Sequence, residues 1–320
     1  MELSIIIVNW NSKDYLRKCL ASVVAETRGL EYEIIVIDAA SYDGCGTMLR
    51  EHYPNVRFIQ AEKNLGFAWA NNQAFAASKG KCVLFLNPDT ELRGPAVNIL
   101  HRALRVLPNA GAVGGKLLNS DGSIQTSCIQ SFPTILNQIL DVEPLRARFP
   151  RSRLWGMAAL FGTAQAPEEV EAISGACVML KRSVFESAGR FSEDYFMYAE
   201  DLDLSYQVRR AGFRNYYVPA GVVVHHGGGS SKQSTSDFSV VMMRESVWRF
   251  LRKTRGHAYG LSFCAAMLVS SLLRLGMLIL VLPVRGMHMN PPVSSSFKKW
   301  TAIFRWSLGL KSGIKDYGRA

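Results

Sequence analysis

Residues 4–9 read SIIIVN, residues 33–38 read EIIVID and residues 82–87 read CVLFLN. Each run is rich in apolar, mostly β-branched residues and ends on a polar side chain. A strand with one wet face alternates, whereas unbroken apolar runs of this length belong to strands covered on both faces, as in a parallel sheet between helices. Val56–Gln60 reads the same way. The segments between them have helical spacing. Tyr15, Leu16, Cys19, Leu20 and Val23 fall three and four apart and mark one apolar face, with Asn11 or Ser12 able to cap the turn ahead of them. Gly66–Ser78 makes a second helix, closed by Lys79-Gly80. Strand–helix–strand repetition predicts right-handed crossovers and a doubly wound α/β sheet.

In an open sheet of this kind, ligands bind outside the carboxyl ends of the strands. Asn9 and Asn11 follow the first strand, Asp38 the second, and Asn87-Pro88-Asp89 the fourth. Asp38 either accepts the imide N–H of a uracil or thymine ring or forms a turn or helix cap. Proline stiffens the turn that carries Asp89. A diphosphate-bound Mg²⁺ or Mn²⁺ needs one or two carboxylates plus phosphate oxygens and water, although turns use Asn, Pro and Asp for themselves. Glu200-Asp201-x-Asp203 opens a helix behind Tyr195, Phe196 and Tyr198. These acids either serve the helix dipole, or Asp201 faces the cleft as a general base beside apolar rings that raise its pKa. His225-His226 follow an apolar strand, where imidazole either ligates a borderline divalent metal or ends the strand as a satisfied polar group.

Ala110–Ser127 reads as a strand and a hairpin turning at Asp121-Gly122. Residues 129–170 are irregular and offer Phe132, Trp155 and Phe161 as exposed bulky side chains; a connection of that length is functional or mobile. Order returns at Ala172–Lys181. A helix over Asp201–Ala211, stopped by Gly212, is followed by short strands at Asn215–Val218 and Val222–His225. Residues 227–239 are flexible by composition, and a helix runs from about Asp237 to Arg255. There are no internal repeats.

The chain has 320 residues, 48% of them apolar, enough for two domains or one large domain with an appendage. Its start, MELSIIIVNW, lacks the basic flank and apolar length of a secretory signal. The six cysteines are scattered without a CxxC pair, which argues against a disulfide framework or thiolate metal site and fits a reducing cytoplasm. From Arg244 to Ala320 there are 13 bases against Glu245 and Asp316, which equals the +11 of the whole chain. The rest is near neutral and has no basic stripe with interleaved aromatics, so nucleic acid is not an expected partner. A basic, apolar tail fits an anionic membrane surface. Ala258–Leu273 and Leu275–Val284 together have the length of a spanning helix, but fusing them buries Arg274 at about 2.5–3.5 kcal/mol on insertion scales. Phe297, Trp300, Phe304 and Leu308 fall at helical spacing among Lys298, Lys299, Arg305 and Lys311, the pattern of a basic helix lying in the interface. The expectation is monotopic attachment to the cytoplasmic face.

Four blocks in order resemble family 2 glycosyltransferases of the GT-A fold, especially the bacterial branch that includes rhamnosyltransferases. They are SIIIVNWNSKDYLRKCLASV (Ser4–Val23), Glu33–Gly46, NLGFAWANNQAFAASKGKCVLFLNPDT (Asn64–Thr90), and Ile173–Ser230 with SGACVMLKR, GRFSEDYFMYAEDLDL and VPAGVVVHHGGGS. The resemblance implies a GT-A-type mixed sheet in a catalytic domain at 1–240. Its nucleotide-sugar half would be 1–116 and its acceptor half 117–240, followed by a helical membrane-associated region at 241–320. By the same resemblance Asp38 binds the base, while Val8, Asn9, Asn11, Ala40, Asn64, Gly66, Asn71 and Asn87 line the donor site. Asp89 and His225 (in H-x-x-G-x-S) are implied to hold Mg²⁺ or Mn²⁺, Asp201 to be the catalytic base, and Gly175, Tyr198, Glu200 and Asp203 to face the acceptor. The implied reaction is a one-step inverting transfer from a nucleoside-diphosphate sugar, dTDP-rhamnose or a UDP-hexose, to a glycan or lipid-linked acceptor; a homo-oligomer is compatible with it. Two positions depart from the family pattern: Ala39 stands where Asn is usual, and Trp69 where Gly is common. The competing readings are a nucleotidyltransferase, which should carry a glycine-rich phosphate loop where this chain has Asn9-Trp10-Asn11-Ser12, and a non-catalytic membrane-associated partner, which should have lost Asp89 or Asp201.

Overall fold

The computed structural model describes residues 1–140, 145, 148, 149, 152, 165–227, 237–284 and 291–310. The first two thirds alternate as expected: β1 (Leu3–Asn9), α1 (Lys13–Glu26), β2 (Tyr32–Asp38), α2 (Cys45–His52), β3 (Arg57–Gln60), α3 (Phe67–Ala76) and β4 (Cys82–Leu86). β5 (Thr90–Arg93), α4 (Ala96–Val106) and β6 (Ala110–Leu118) follow. After them come β7 (Ile129–Gln130), α5 (Ile135–Leu140), β8 (Glu168–Val170), β9 (Ala172–Ile173), β10 (Cys177–Lys181), α6 (Arg182–Ser187), α7 (Glu200–Arg210) and β11 (Arg214–His225). Three helices close the chain: α8 (Asp237–Arg255), α9 (His257–Val284) and α10 (Pro291–Ser307).

The main sheet is mixed, in the order β3-β2-β1-β4-β10-β6-β11-β5, with β8 added alongside β11. β1 pairs in parallel with β2 and β4, β10 runs antiparallel to both β4 and β6, and β5 runs antiparallel to β11. Every residue of β1 and β4 is buried, which is why those runs carry no polar alternation. Leu16, Cys19, Leu20 and Val23 of α1 cover the sheet, each leucine side chain contributing about 1.5–3 kcal/mol by leaving water.

Several boundaries differ from the sequence reading. α1 is not capped by Ser12, whose hydroxyl donates to the Trp10 carbonyl; Asp43 Oδ2 instead accepts from the Ser12 and Lys13 amides at 3.0 and 2.9 Å. The two short strands at the end of this region are one, β11, with a register irregularity between Val218 and Val222 where Pro219 and Gly221 interrupt the ladder. α2, β5 and α4 were not foreseen. Phe132 is not a free aromatic, because its ring meets Tyr206 edge-on at 5.4 Å. Trp155, Phe161 and most of the 227–239 segment lie outside the described residues.

The chain forms two compact units. The first comprises Met1–Phe132, Arg146–Phe196 and Glu200–Ser230, and holds the sheet; the second comprises Pro133–Leu145, Met197–Ala199 and Ser231–Ala320. In the second, Phe263 of α9 packs edge-on against Trp306 of α10 at 6.1 Å. Arg274, the charge that breaks the apolar run, is folded in: its Nη2 donates to the Ile139 carbonyl at 2.6 Å and its guanidinium lies 4.1 Å from the centre of the Trp300 ring. Trp300, Ile303 and Trp306 of α10 are buried, so the side of α10 expected to lie in a membrane interface is partly turned into this unit. The exposed apolar face belongs to α9 instead, with Leu261, Val269, Leu273, Met277 and Leu280 each more than half exposed. Among the described residues one helix, over His257–Leu280, is long and apolar enough to cross a membrane, with a mean hydropathy of 2.1.

Candidate active site

Parallel pairing of β1 with β2 and β4 brings their carboxyl ends together, and the expected polar residues gather there. Asn9 is fully buried and its Nδ2 donates to Asp38 Oδ1 at 2.8 Å and to Asp43 Oδ2 at 3.1 Å. Asp38 also accepts from the Ser41 amide at 3.0 Å, the Tyr42 amide at 3.1 Å, Gln60 Nε2 at 2.8 Å and the Ser41 hydroxyl. Burial pushes its pKa up, but the hydrogen bonds from Ser41, Gln60 and Asn9 outweigh that and hold it below the usual carboxylate range. Asp38 therefore organises the loop after β2 with its own oxygens. That loop carries left-handed backbone at Ala40 and Tyr42, as does Asn11 opposite. Asp38, Asp43 and Cys45 offer ligand atoms within 4.8 Å of one another. Both carboxylates are already bonded to the chain, and burial followed by the Asp38 charge pushes the Cys45 thiol up, which keeps it protonated.

The second group assembles across the far edge of the sheet. The antiparallel pairing of β5 with β11 sets Thr90 opposite His225, and the His226 amide donates to the Asp89 carbonyl at 2.9 Å. This brings His225 Nε2 to 3.2 Å from both Asp89 Oδ1 and Asn87 Nδ2. His225 Nδ1 lies 2.6 Å from Gln125 Oε1. Gln125 Nε2 donates to Asn119 Oδ1 at 3.1 Å, which turns its oxygen to the ring, so Nδ1 is the nitrogen that donates to Gln125 while Nε2 faces Asp89. A ring nitrogen and a carboxylate oxygen that converge, with the far ring N–H held by a carbonyl, make a donor set suited to a divalent cation. His226 is separate: Nε2 meets Glu91 Oε1 and Nδ1 meets Ser120 Oγ, each at 2.8 Å.

A chain of bonds leads from this pair to the acids at the start of α7. The Asn87 amide donates to the Ala176 carbonyl at 2.9 Å, and the neighbouring Gly175 amide donates to Asp201 Oδ2 at 2.9 Å. Asp201 Oδ1 accepts from the Leu202 amide at 2.8 Å. Burial raises the Asp201 pKa, partly opposed by those two amides. Glu200 is 8% exposed, and no hydrogen bond reaches its Oε2. Burial, then the charge of Asp201, pushes its pKa up to about 8. A Cβ on Gly175 would sit 3.3 Å from the Asp201 Cβ, so glycine lets the two backbones approach. At Gly66, φ is +96° and a Cβ would fall 2.5 Å from the Phe196 carbonyl oxygen, the same atom that accepts from the Phe67 amide at 3.1 Å. The start of α3 is thereby tied to Phe196, ahead of α7.

The remaining expected residues are placed as follows. Val8 is buried in β1. Asn64 Oδ1 accepts from the Gly66 amide at 3.0 Å, and buried Asn71 donates to the Phe67 carbonyl at 2.9 Å, so both amides serve the turn into α3. Asp203 is 1% exposed and accepts from Gln207 Nε2 at 3.3 Å. Tyr198 and Ala199, directly before Glu200, both have left-handed backbone, as do few other non-glycine residues among the described residues. Asp43, Gln60 and Gln125 were not anticipated. Asp43 lies inside a quoted motif, whereas Gln125 is 100 residues from the histidine it orients and carries no local signal.

The chain is similar to known proteins of one class. The family model described as Glycosyl transferase family 2 matches residues 4–189, and a second, Glycosyl transferase family group 2, matches residues 142–310. An N-acetylglucosaminyl-diphospho-decaprenol L-rhamnosyltransferase of Mycobacterium tuberculosis is 30% identical over 238 residues, covering 70% of this chain and 75% of the relative. Rhamnosyltransferase WbbL of Escherichia coli is 25% identical over 233 residues, covering 69% and 82%. In three dimensions the chain is similar to a mannosyltransferase of Pyrobaculum calidifontis solved with GDP-Man and Mn²⁺, at a TM-score of 0.57 and 16% identity, over 97% of this chain and 86% of that one. The chain belongs to glycosyl transferase family 2, on a GT-A-type fold, and its relatives include rhamnosyltransferases. It is a glycosyltransferase.

Proposed function

We propose that the chain is an inverting, divalent-cation-dependent transferase that moves a hexose, with dTDP-rhamnose or a UDP-hexose as donor, to a hydroxyl of a lipid-linked or cell-surface glycan. The observation that carries the reading is the convergence of His225 Nε2 and Asp89 Oδ1 at 3.2 Å, joined through Asn87 and Ala176 to the Gly175–Asp201 bond. The acceptor class is supported by the substrate for which the M. tuberculosis relative is named, and the cation by the Mn²⁺ of the solved neighbour.

In this reading the loops after β1, β2 and β4 (Asn9, Asn11, Ala40) and the turn at Asn64–Gly66 cradle the nucleotide, with Asp38 as the residue that shapes the base pocket. Asp89 and His225 hold Mg²⁺ or Mn²⁺, Gln125 fixing the His225 tautomer so that Nε2 points to the ion. Bound there, the ion neutralises charge on the departing nucleoside diphosphate. Asp201, its pKa raised by burial, takes the acceptor hydroxyl proton on a carboxylate oxygen while Gly175 N–H fixes its direction. Gly175, Tyr198, Glu200 and Asp203 shape the acceptor side. The acceptor oxygen attacks the anomeric carbon as the diphosphate leaves from the opposite face, so the configuration inverts. Residues 1–240 are the catalytic region, and 241–320 attach it to the cytoplasmic face of an anionic membrane through the apolar face of α9.

The test is a panel of UDP-, dTDP- and GDP-sugars with full-length protein and lipid-linked acceptors, read as nucleotide release with and without chelator. Product anomers are assigned by NMR. Release that needs both acceptor and divalent cation, with inverted configuration, is expected. Retained configuration would remove the one-step mechanism, and full activity in excess chelator would remove the ion. Fractionation checks the last element: full-length protein soluble without detergent and indifferent to anionic vesicles would refute membrane attachment.

A further inference from the structure

Within the second unit, a groove of about 450 Å³ runs along α9, lined by Ile139 of α5 and by Ala265, Ala266, Val269, Leu273 and Met277 of α9, with Arg274 at its wall. From Ala265 to Met277 the helix rises about 18 Å. Val269, Leu273 and Met277 also form the exposed apolar face, so the groove opens directly onto whatever covers that face. Its polar lining is confined to Arg274 and Ser270. Arg274 is turned to the Ile139 carbonyl and the Trp300 ring, and the backbone of α9 is engaged in its own helix. A peptide laid here would find almost nothing for its amides, whereas a hydrocarbon chain needs no hydrogen bonds.

Charge selects among apolar occupants. Neither α9 nor α10 contains an acidic residue. Two bases lie over Trp300, Arg274 at 4.1 Å and Lys299 Nζ at 5.4 Å from the ring centre, so one wall of the groove leads to a cationic cluster with Lys298 exposed beside it. An apolar channel beside such a cluster is complementary to a chain ending in phosphate.

We propose that this groove holds the hydrocarbon chain of the lipid carrying the acceptor, with the lipid phosphate toward Arg274 and Lys299 and the chain running along α9 toward Ala265. This rests on the reading of the acceptor as lipid-linked and gives the carrier chain its own subsite, in the second unit. Recognition is by chain and phosphate, so acceptors that differ in sugar but share the lipid are held alike.

The experiment uses full-length protein with vesicles of phosphatidylcholine and phosphatidylglycerol containing a diazirine-bearing polyprenyl phosphate. After irradiation, peptides are mapped by mass spectrometry; no sugar donor is needed. Labelling is expected at Ile139 and within Ala265–Met277, displaced by excess unlabelled polyprenyl phosphate. Ala266→Phe, which fills the groove, should reduce it at least fivefold, with vesicle sedimentation unchanged. Val269→Phe, at a position 55% exposed and therefore tolerant of substitution, should do the same if Ala266→Phe folds poorly. Equal labelling by a diazirine placed on a phosphatidylcholine acyl chain would identify bulk lipid as the occupant and overturn the proposal. Labelling elsewhere, or none while vesicle binding persists, would also overturn it. Loss of both vesicle binding and labelling would refute the groove and the membrane reading together, while nucleotide release on the same preparation reports separately on the transferase reading.

Discussion

Replacing Glu200 with glutamine tests the charge state of the acid pair at the start of α7. Burial, reinforced by Asp201, lifts the Glu200 pKa from 4.5 to about 8. The folded chain therefore keeps this proton through neutral pH, whereas the unfolded chain releases it near 4.5. Because the native state binds more protons in this window, stability must fall as pH rises from 4.5 to 8 and level off above. The shift is about 3.5 units, and at about 1.4 kcal/mol per unit it amounts to 4–5 kcal/mol across the full window. Glutamine cannot ionise, so Glu200→Gln removes that slope while keeping the shape. Asp201 is raised in the same direction and its charge acts on Glu200, so the difference between the two proteins reports the pair rather than Glu200 alone. Urea unfolding followed by tryptophan fluorescence at pH 5.5, 6.5 and 7.5 reads the difference. Between the outer points, wild type should lose about 2–3 kcal/mol relative to the variant. Parallel stability curves would show that Glu200 is ionised in the folded chain and would refute the account of the pair.

Three further outcomes follow from the same geometry. Asp201→Asn should leave the urea midpoint and donor binding near wild type while transfer falls roughly 10²-fold or more, measured as sugar-dependent nucleotide release; near-normal turnover would move the base elsewhere, Asp203 first. Gln125→Leu removes the acceptor that sets the His225 tautomer, and should weaken activating Mn²⁺ by about 10–100-fold, read from the metal dependence of the rate and rescued in part by Gln125→Glu. Gly66→Ala forces a Cβ against the Phe196 carbonyl at positive φ and should cost about 3 kcal/mol, seen as a fall in Tm of about 6–12 °C in thermal unfolding.

How much of this was readable without coordinates depended on the range of the interaction. The buried strands β1, β2 and β4 and the apolar face of α1 were legible, because periodicity is a local property. So were the strand-end residues Asn9, Asp38, Asn87 and Asp89, since a parallel sheet delivers its carboxyl ends to one edge. The polar role of Asp43 was not, because its hydrogen bonds reach across to a helix that starts 30 residues earlier. Gln125 was invisible for the same reason. Arg274 looked like a flaw in an apolar helix, and only the approach of Ile139 and Trp300 shows how its charge is accommodated. The burial of Trp300 was not legible, because this side chain is equally suited to a lipid interface and to stacking on a guanidinium, and periodicity does not distinguish the two.

The interleaving of the sheet sets an order of events during synthesis. β10 fills the place between β4 and β6, and β11 the place between β6 and β5, yet both are among the last strands of the sheet to leave the ribosome. A nascent chain that has reached only β6 holds strands with vacant neighbours on both sides, open edges that attract other chains. Asp89 likewise waits 136 residues for His225. A fragment ending near residue 116 thus has no completed sheet, and Asp89 and His225, the proposed cation ligands, meet only after β11 has slid into its slot. On the proposed function, loading with nucleotide sugar would be a late checkpoint on the integrity of the whole sheet.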